Sequence, residues 1–359
     1  MRSPWRGGPA FRIGCIIAAK LIFWNTAMMN IILMCGGDGS EHDISLKSAD
    51  FLEAKLGEIQ NVRVVRVVLH RRKWVLADGT PCIPVGIKTL VTPTESIHMD
   101  YVIPCIHGFP GETGDIQSFL EILGVPYMGC GSEASRLCFN KVSTKLWLSA
   151  VGIPNTPYVF LSDNSQASQA SALQAMRNWG SVFVKAASQG SSVGCYKVDD
   201  LAKLPDAIND AFKYSRQVLV EKNVHPRELE VAVYQYGDEV IATNPGEIKT
   251  DKSTFYSWEE KYDGSSKAET VVEAELSDEQ KEQIRSLALK AFDQLKLRDL
   301  SRIDFFISAD GEILLNEINT FPGMTPISMF PKMLEHHGDS MTEFLKQCIA
   351  REAPAKQHR

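Results

Sequence analysis

Carboxylate side chains stand at matching positions on either side of an Asp-Gly pair within residues 302–319. Strand-forming residues flank the pair, which favours a two-residue type I′ hairpin turn. Such a turn pairs Ala309 with Glu312 and, counting outward, sets Asp304 opposite Glu317. The sequence therefore predicts a hairpin that holds two carboxylates directly across from each other.

Strand alternation gives this hairpin two different faces. Arg302 and Asn319 join the two carboxylates on one face. The predicted apolar face is formed by Phe305, Ile307, Leu314 and Ile318. Opposed like charges need a counter-ion, and hard oxygen ligands suit Mg²⁺ or Mn²⁺, which complete their shells with water and substrate phosphates. We therefore expect a nucleotide at the charged face; the alternative is a solvated hairpin on which Asp304 pairs with Arg302 or a nearby lysine.

A second segment has the composition of a phosphate-binding loop. Residues 186–192 are all small or polar and lie between two predicted strands, residues 182–185 and 193–198. The N–H groups of such a loop can close over phosphates, and Lys185 beneath it would add positive charge. No G-x-x-x-x-G-K-[ST] pattern occurs, so the chain is not a P-loop protein. A flexible hairpin without a ligand is the alternative.

Two further predicted strands, residues 218–224 and 228–234, meet at a polar linker. The backbone at this crossing could hydrogen-bond an adenine edge, with Glu228 near the ribose hydroxyls; plain charge at a strand edge is the alternative. Residues 246–266 lack periodicity and predict a long irregular loop, either a lid or a disordered excursion.

The N-terminal third alternates between strand and helix patterns. Strands are predicted at residues 31–35, 62–69 and 101–106, and a helix at residues 41–56. This order indicates an open α/β sheet, in which ligands sit at the carboxyl ends of the strands. Those ends carry two loops that could hold a ligand, residues 36–42 and 107–112.

The length and composition of the chain are ordinary for a globular protein. The chain has 359 residues, of which 44% are hydrophobic and 23% charged, so we expect a soluble globular protein of two or three domains. A formal net charge of −6 argues against a general nucleic-acid binder. The eight cysteines form no C-x-x-C pair, which indicates neither a zinc site nor a disulfide framework and fits reduced thiols in a cytoplasm.

Residues 1–28 differ from the rest, because they are basic, lack acidic residues and contain an interrupted apolar stretch. We expect translation to start naturally at Met28 or Met29, which makes this segment a disordered leader or a non-native extension. A membrane anchor is the alternative, although a span needs ~20 mostly apolar residues.

The ordered motifs resemble the ATP-grasp superfamily, and more closely its D-alanine–D-alanine ligases of bacterial cell-wall synthesis. The resemblance runs from Met29 to about Ala350. It is carried by Gly36-Gly37-x-x-Ser40-Glu41-His42-x-Ile44-Ser45, His107-Gly108-x-x-Gly111-Glu112-x-Gly114-x-Ile116-Gln117, Gln189-Gly190-Ser191-Ser192-Val193-Gly194, Glu259-Glu260-Lys261-Tyr262, Arg302-Ile303-Asp304 and Asn316-Glu317-Ile318-Asn319-Thr320-x-Pro322-Gly323-Met324-Thr325.

This resemblance implies an α/β, three-domain ATP-grasp fold whose N-terminal domain has an open parallel, Rossmann-like sheet. The implied domains are residues 29–129 for substrate, 130–225 for the central ATP-grasp subdomain and 226–350 for the C-terminal subdomain with the metal site, followed by a tail at 351–359. ATP would be clamped between the last two. Homodimers, small-molecule substrates and a cytoplasmic location are implied, with neither nucleic acid nor membrane as partner.

The resemblance also implies roles for individual residues. Two Mg²⁺ or Mn²⁺ ions per subunit would be held by Asp304, Glu317 and Asn319. ATP would be bound by Lys141, Lys185, Ser191, Ser192, Glu221, Lys222, Val224, Glu228, Lys261, Phe306 and Asn316. Catalysis and substrate binding would involve Glu41, His107, Ser191, Tyr262, Arg302, Gly323 and Ser328.

The implied reaction is the ATP-dependent joining of two D-alanines through an acyl phosphate. Glu41 would bind the first substrate's ammonium, with Ser191 and Tyr262 hydrogen-bonded to it, while Arg302 and the Gly323 N–H would stabilise the tetrahedral oxyanion. Ser328 would receive the second substrate's carboxylate, and His107 would lie near the reacting carboxylate. The pair Lys261-Tyr262 favours the dipeptide product. The alternatives are a related ligase whose second substrate is D-lactate or D-serine, another ATP-grasp carboxylate-amine ligase, and a nucleotide-binding relative without turnover.

Overall fold

The N-terminal part of the chain forms the predicted open sheet. A computed structural model describes residues 28–249 and 269–352, and no helix within those ranges is both long and apolar enough to cross a membrane. The first elements are β1 (Met29–Gly36), α1 (His42–Gly57), β2 (Val62–His70), β3 (Lys73–Leu76), β4 (Ile83–Val85), β5 (Thr89–Val91), β6 (Ser96–His98), β7 (Tyr101–Pro104) and α2 (Asp115–Ile122). Seven cysteines lie in the described ranges and all are free thiols.

Strand β1 is the centre of this sheet. The strand order is β3-β2-β1-β7, with β1 parallel to both β2 and β7 and with β3 antiparallel at the edge. Residues 31–36 are buried on both faces, which explains why β1 reads as a continuous apolar run and not as an alternating one. The loops after β1 and β7 therefore emerge next to each other, as parallel neighbours require.

The next elements build an antiparallel sheet with helices on it. They are α3 (Ser132–Phe139), α4 (Lys141–Ala150), β8 (Tyr158–Leu161), α5 (Gln166–Trp179), β9 (Val182–Ala186), β10 (Cys195–Val198), α6 (Leu204–Ala211) and β11 (Val218–Lys222). The sheet order is β10-β9-β11-β8. Strands β9 and β10 flank residues 186–192, the small-residue loop, as predicted.

The last elements form a larger antiparallel sheet. They are β12 (Arg227–Tyr236), β13 (Glu239–Ala242), β14 (Gly246–Lys249), β15 (Glu269–Val271), α7 (Asp278–Gln294), β16 (Leu300–Ile307), β17 (Ile313–Asn319), α8 (Met329–His337) and α9 (Met341–Glu352). The main order is β15-β14-β12-β16-β17. The predicted irregular loop is wrong at its start, because residues 246–249 are strand β14, paired with β12 and β15. Its remaining residues, 250–266, lie outside the described ranges.

The turn between β16 and β17 corrects a prediction. Three residues connect the strands, since Ser308 pairs with Glu312 and Gly311 N–H donates to the Ser308 carbonyl at 3.0 Å. Of the turn residues only Gly311 has a left-handed φ, of 83°, whereas a type I′ turn needs that conformation at two positions. The predicted type I′ turn with Ala309 opposite Glu312 is therefore wrong.

The predicted pairing of Asp304 with Glu317 is nevertheless confirmed, because a β-bulge restores the register. Phe305 pairs with Leu315, and the register then shifts so that Asp304 pairs with Glu317. Asn316 is the extra residue between the two registers. The longer turn moves the pairing by one position, and the bulge moves it back.

The bulge also exchanges residues between the two faces of the hairpin. Leu314 pairs with Phe306 on the charged face, so its predicted place on the apolar face is wrong. The core cluster beneath the sheet instead receives Ile313 and Leu315. If side chains alternated regularly from Glu317, the Asn316 side chain would point into that core. The observed register instead buries the side chains of Ile313 and Leu315 there and keeps the Asn316 amide out of it.

Candidate active site

Three carboxylates form one row across three adjacent strands. Glu230 on β12 pairs with Asp304 on β16, which pairs with Glu317 on β17. In the next row, Ala232 pairs with Arg302, which pairs with Asn319, so the predicted polar face exists. Glu230 was not singled out from the sequence, although its spacing from Glu228 already places both on one strand face.

Arg302 forms ion pairs with two of the three carboxylates. Its Nε and Nη2 donate to the two oxygens of Asp304 at 2.8 and 2.7 Å, and its Nε lies 3.3 Å from Glu230 Oε1. Burial acts to lower the pKa of Arg302, but the charges of Asp304 and Glu230 outweigh it and raise that pKa. The guanidinium is therefore permanently charged and fixed beside the row of carboxylates.

Lys141 connects the third carboxylate to the small-residue loop. It is the first residue of α4, whose N-terminus is capped by Asn140 through its side chain. Its Nζ donates to the Gln189 carbonyl at 2.7 Å and lies 3.5 Å from Glu317 Oε2. One positive charge thus spans the loop and the acidic row.

The predicted metal ligands fit a hard cation by their donor chemistry. Asp304, Glu317 and Asn319 offer two carboxylates and an amide on one face, and Asn319 Nδ2 donates to Asp304 Oδ2 at 3.0 Å. Within residues 28–249 and 269–352, no group of three or more His, Cys, Asp or Glu side chains is arranged as a metal-ligand set. The pairing of Asp304 with Arg302, the alternative raised from the sequence, is the contact that the structure contains.

Glu41 and Ser191 meet across the site, as the resemblance implied. Ser191 Oγ donates to Glu41 Oε1 at 2.5 Å. Glycines make room for that carboxylate: a Cβ at Gly190 would lie 3.2 Å from Glu41 Oε2, and one at Gly108 would lie 3.6 Å from it. The loops after β1 and β7 and the small-residue loop therefore converge on one carboxylate.

The small-residue loop is held in an unusual backbone conformation. Ser191 and Ser192 have left-handed φ values of 49° and 61°. Such conformations are uncommon for residues other than glycine and persist where the surroundings determine them, often at functional sites. Successive N–H groups in turns of this kind can form a concave surface for anions.

A buried ion cluster lies below this loop. Glu221 Oε2 accepts from Lys185 Nζ at 2.5 Å, and Glu221 Oε1 lies 3.0 Å from Lys145 Nζ. Burial acts to raise the pKa of Glu221, but the two lysines outweigh it and lower that pKa to about 2. Burial lowers the pKa of Lys145, whereas Glu221 outweighs burial at Lys185 and raises its pKa. Two cations share one anion, which leaves one positive charge in excess.

The predicted adenine-contacting residues line the edge beside this cluster. Glu221 turns its side chain inward to the lysines, so only its backbone faces the crossing of β11 and β12. Lys222 N–H donates to the Pro157 carbonyl at 2.9 Å, and the Val224 carbonyl accepts from Ala309 of the hairpin turn at 3.4 Å. Phe306 lies between Glu228 and Leu314 in register, which gives this end of the hairpin an apolar surface.

The turn after β17 carries the two remaining predicted residues. A Cβ at Gly323 would lie 2.9 Å from Ser328 Oγ, so the two residues are in direct contact. Ser328 Oγ accepts from Thr325 N–H at 3.1 Å and lies 2.8 Å from Thr325 Oγ1. His107 lies nearby and is buried, with its Nε2 3.0 Å from Ser48 Oγ.

Glu112, quoted only as part of a motif, is a further titratable group at this site. Its Oε2 accepts from Gly108 N–H at 2.7 Å. Burial, and then the negative charge of Glu41, raise the pKa of Glu112 to about 8. Lys261 and Tyr262, in contrast, lie outside the described residues, so the second predicted hydrogen bond to Glu41 stays a prediction.

Two family models match the chain. The one described as "D-ala D-ala ligase N-terminus" matches residues 30–130, and the one described as "D-ala D-ala ligase C-terminus" matches residues 147–350. Together they include the loops, strands and turn that build the site.

Curated relatives agree over nearly their whole length. A D-alanine–D-alanine ligase from Tolumonas auensis is 63% identical over 322 residues, which are 89% of this chain and 98% of that protein. One from Aeromonas salmonicida is 58% identical over 327 residues, covering 90% of this chain and 99% of that protein.

Solved structures show the same fold. The D-alanyl-alanine synthetase A of Vibrio cholerae superposes with a TM-score of 0.88 at 51% identity, covering 91% of this chain and 99% of that chain. The D-Ala:D-Ser ligase VanG of Enterococcus faecalis superposes with a TM-score of 0.79 at 26% identity, covering 90% and 98%. The predicted α/β, ATP-grasp fold is confirmed, and the chain belongs to the D-alanine–D-alanine ligase family.

Proposed function

We propose that this protein joins two D-alanines into D-alanyl-D-alanine with consumption of ATP, releasing ADP and phosphate, as a step in peptidoglycan precursor synthesis. The observation that carries the proposal is the hydrogen bond between Ser191 and Glu41 in a chain of this family. ATP binding alone would not require a carboxylate at the mouth of the phosphate loop, whereas an amino-acid ammonium does.

The charge distribution supports the use of ATP in this reaction. Lys141 and Lys185 bring positive charge to the loop that would cover the phosphates, and Arg302 is fixed beside the acidic row. In the proposed reaction the carboxylate of the first D-alanine attacks the γ-phosphate and forms an acyl phosphate. The amine of the second D-alanine then displaces phosphate through a tetrahedral intermediate.

Asp304, Glu317 and Asn319 would hold the divalent ions, which supply charge neutralisation and orientation of the phosphates when bound. Two ions per subunit are part of the proposal. Arg302 would stabilise the negative oxygen of the tetrahedral intermediate, together with the N–H of Gly323. Both groups are preorganised, since Arg302 is held by Asp304 and Gly323 lies against Ser328.

Exclusion of water is the other requirement, because water competes for an acyl phosphate. The proposed lid includes Lys261 and Tyr262, which lie outside the described residues, and it would close on Glu41 opposite Ser191. We further propose a homodimer in the cytoplasm, built of three domains with the bounds predicted above. Sedimentation tests the dimer, and cell fractionation tests the location.

The direct test is phosphate release with ATP, Mg²⁺ and D-alanine, followed by mass spectrometry of the products. Parallel arms contain L-alanine, D-alanine with D-lactate, and D-alanine with D-serine. We expect D-alanyl-D-alanine from the D-alanine arm and none from L-alanine. A mixed product formed in preference to the dipeptide would reassign the second substrate, and ATP binding without product in any arm would refute the proposal.

A further inference from the structure

Ser48 joins the N-terminal unit to the turn after β17. It lies on α1 and is fully buried. Its Oγ accepts from Met324 N–H at 3.2 Å and lies 3.0 Å from His107 Nε2. The first of these bonds links positions 276 residues apart. The buried Ser48 side chain thus contacts both the loop after β7 and the turn after β17, and each of these segments carries predicted site residues.

The partner of Ser48, His107, also contacts the start of that turn. Its ring lies 6.3 Å from the Phe321 ring, centroid to centroid. Burial lowers the pKa of His107, which favours the neutral imidazole.

These contacts lie on both sides of the Pro-Gly turn. Ser48 Oγ holds the Met324 N–H after the turn, and the His107 ring, which Ser48 also contacts, lies beside Phe321 before it. Only Pro322 and Gly323 lie between Phe321 and Met324. A hydroxyl can accept one bond and donate another, so Ser48 can receive the Met324 N–H while donating to a neutral imidazole.

We propose that Ser48 is a positioning residue that fixes the direction of the Gly323 N–H through Met324 and His107. The inference rests on the proposed function, in which that N–H faces the tetrahedral oxyanion. Pro322 has no N–H of its own, so the geometry of the turn is set by the groups that flank it. His107 acts from the other side of the turn, where its ring packs beside Phe321.

The chain supplies a matched control on the same helix. Ser45 is equally buried, one helical turn away. Its Oγ donates to the Cys105 carbonyl at 2.5 Å and accepts from Gly36 N–H at 2.7 Å. Gly36 ends β1 and Cys105 directly follows β7, so neither partner belongs to the turn after β17. Ser45→Ala therefore removes a buried serine hydroxyl of the same kind without releasing Met324.

The experiment compares Ser48→Ala with Ser45→Ala in the full chain, measuring kcat, the KM for ATP, and phosphate released per dipeptide formed. Displacement of one oxyanion donor predicts a fall in kcat of about 10- to 100-fold for Ser48→Ala. The KM for ATP should change less than about threefold, since the substitution does not alter the contacts that bind ATP before the reaction. Phosphate per dipeptide should rise, because an acyl phosphate that reacts slowly with the amine is lost to water.

Ser48→Thr and Ser48→Val form a second pair with the same shape, of which only threonine keeps a hydroxyl. We expect threonine to retain much more of kcat than valine, and this comparison stands even if the alanine variant fails to fold. Equal losses of kcat in the two members of either pair, or an unchanged phosphate-to-dipeptide ratio in Ser48→Ala, would overturn the inference. Absence of dipeptide with the wild-type protein would instead refute the proposed function.

Discussion

Ser191 Oγ and Glu41 Oε1 lie 2.5 Å apart, although 150 residues separate them in the sequence. The bond ties the small-residue loop to Glu41, the N-cap residue of α1. In the proposed function, nucleotide binding and amino-acid binding would share this contact, so disturbing it should affect the two substrates unequally.

Ser191→Ala should lower kcat/KM for D-alanine about 10- to 100-fold, the equivalent of a hydrogen bond to a charged group. The KM for ATP should change less than about threefold. Steady-state kinetics with each substrate varied in turn measures both. Ser168→Ala, a serine of the same unit whose hydroxyl bonds Asp163, is the control and should behave as wild type. A change confined to the KM for ATP would contradict the assignment.

The buried cluster of Lys145, Lys185 and Glu221 should respond asymmetrically to mutation. Glu221→Gln leaves two buried cations facing each other and should lower the free energy of unfolding by about 3–5 kcal/mol. Lys145→Met leaves one anion with one cation, so its loss should be smaller, about 2 kcal/mol or less. Urea denaturation at neutral pH gives both values. Equal losses would show that the excess positive charge has no energetic consequence.

Glu112 should make the unliganded protein less stable as the pH rises. Folding raises the pKa of this carboxyl from 4.5 to about 8, so the native state binds more protons than the unfolded state between those values. Stability must then fall with rising pH over this interval. Urea midpoints measured from pH 5 to 8 should decline more steeply for wild type than for Glu112→Gln. Parallel curves for the two proteins would refute the assignment.

Glu317→Gln should abolish most activity by weakening the proposed metal site. A loss of at least ~100-fold is expected, with a higher Mg²⁺ concentration for half-maximal turnover, because bound ions supply several kcal/mol of charge stabilisation. Glu312→Gln makes the same change at the exposed turn of the same hairpin and is the matched control. Circular dichroism should show both variants folded, and wild-type turnover by Glu317→Gln would remove the metal assignment.

Local patterns in the sequence predicted most of the strands and the face on which the charged residues lie. The predicted pairing of Asp304 with Glu317 is correct although the predicted turn is wrong. A two-residue turn with regular pairing and a three-residue turn followed by one bulged residue place the same two residues opposite each other. Glu230 could have been found, since alternation places it beside Glu228.

Other features have no local signal. Ser48 reads as one more small residue on an amphipathic helix, because its partners His107 and Met324 are 59 and 276 positions away. Lys145 likewise has an ordinary helix position and becomes exceptional only where β11 brings Glu221 against it. Contacts between distant segments depend on how the sheets are placed, which periodicity does not report.

The two strands of the hairpin pair in regular register on each side of the bulge at Asn316. Excision of that one residue would leave Leu315 opposite Phe305 and bring the glutamate of position 317 into regular pairing with Asp304, so strand and core would stay in frame on both sides. We therefore expect a chain without Asn316 to keep the pairing of the hairpin. Such a chain would test the proposed ATP contact of the Asn316 amide separately from the folding of the hairpin.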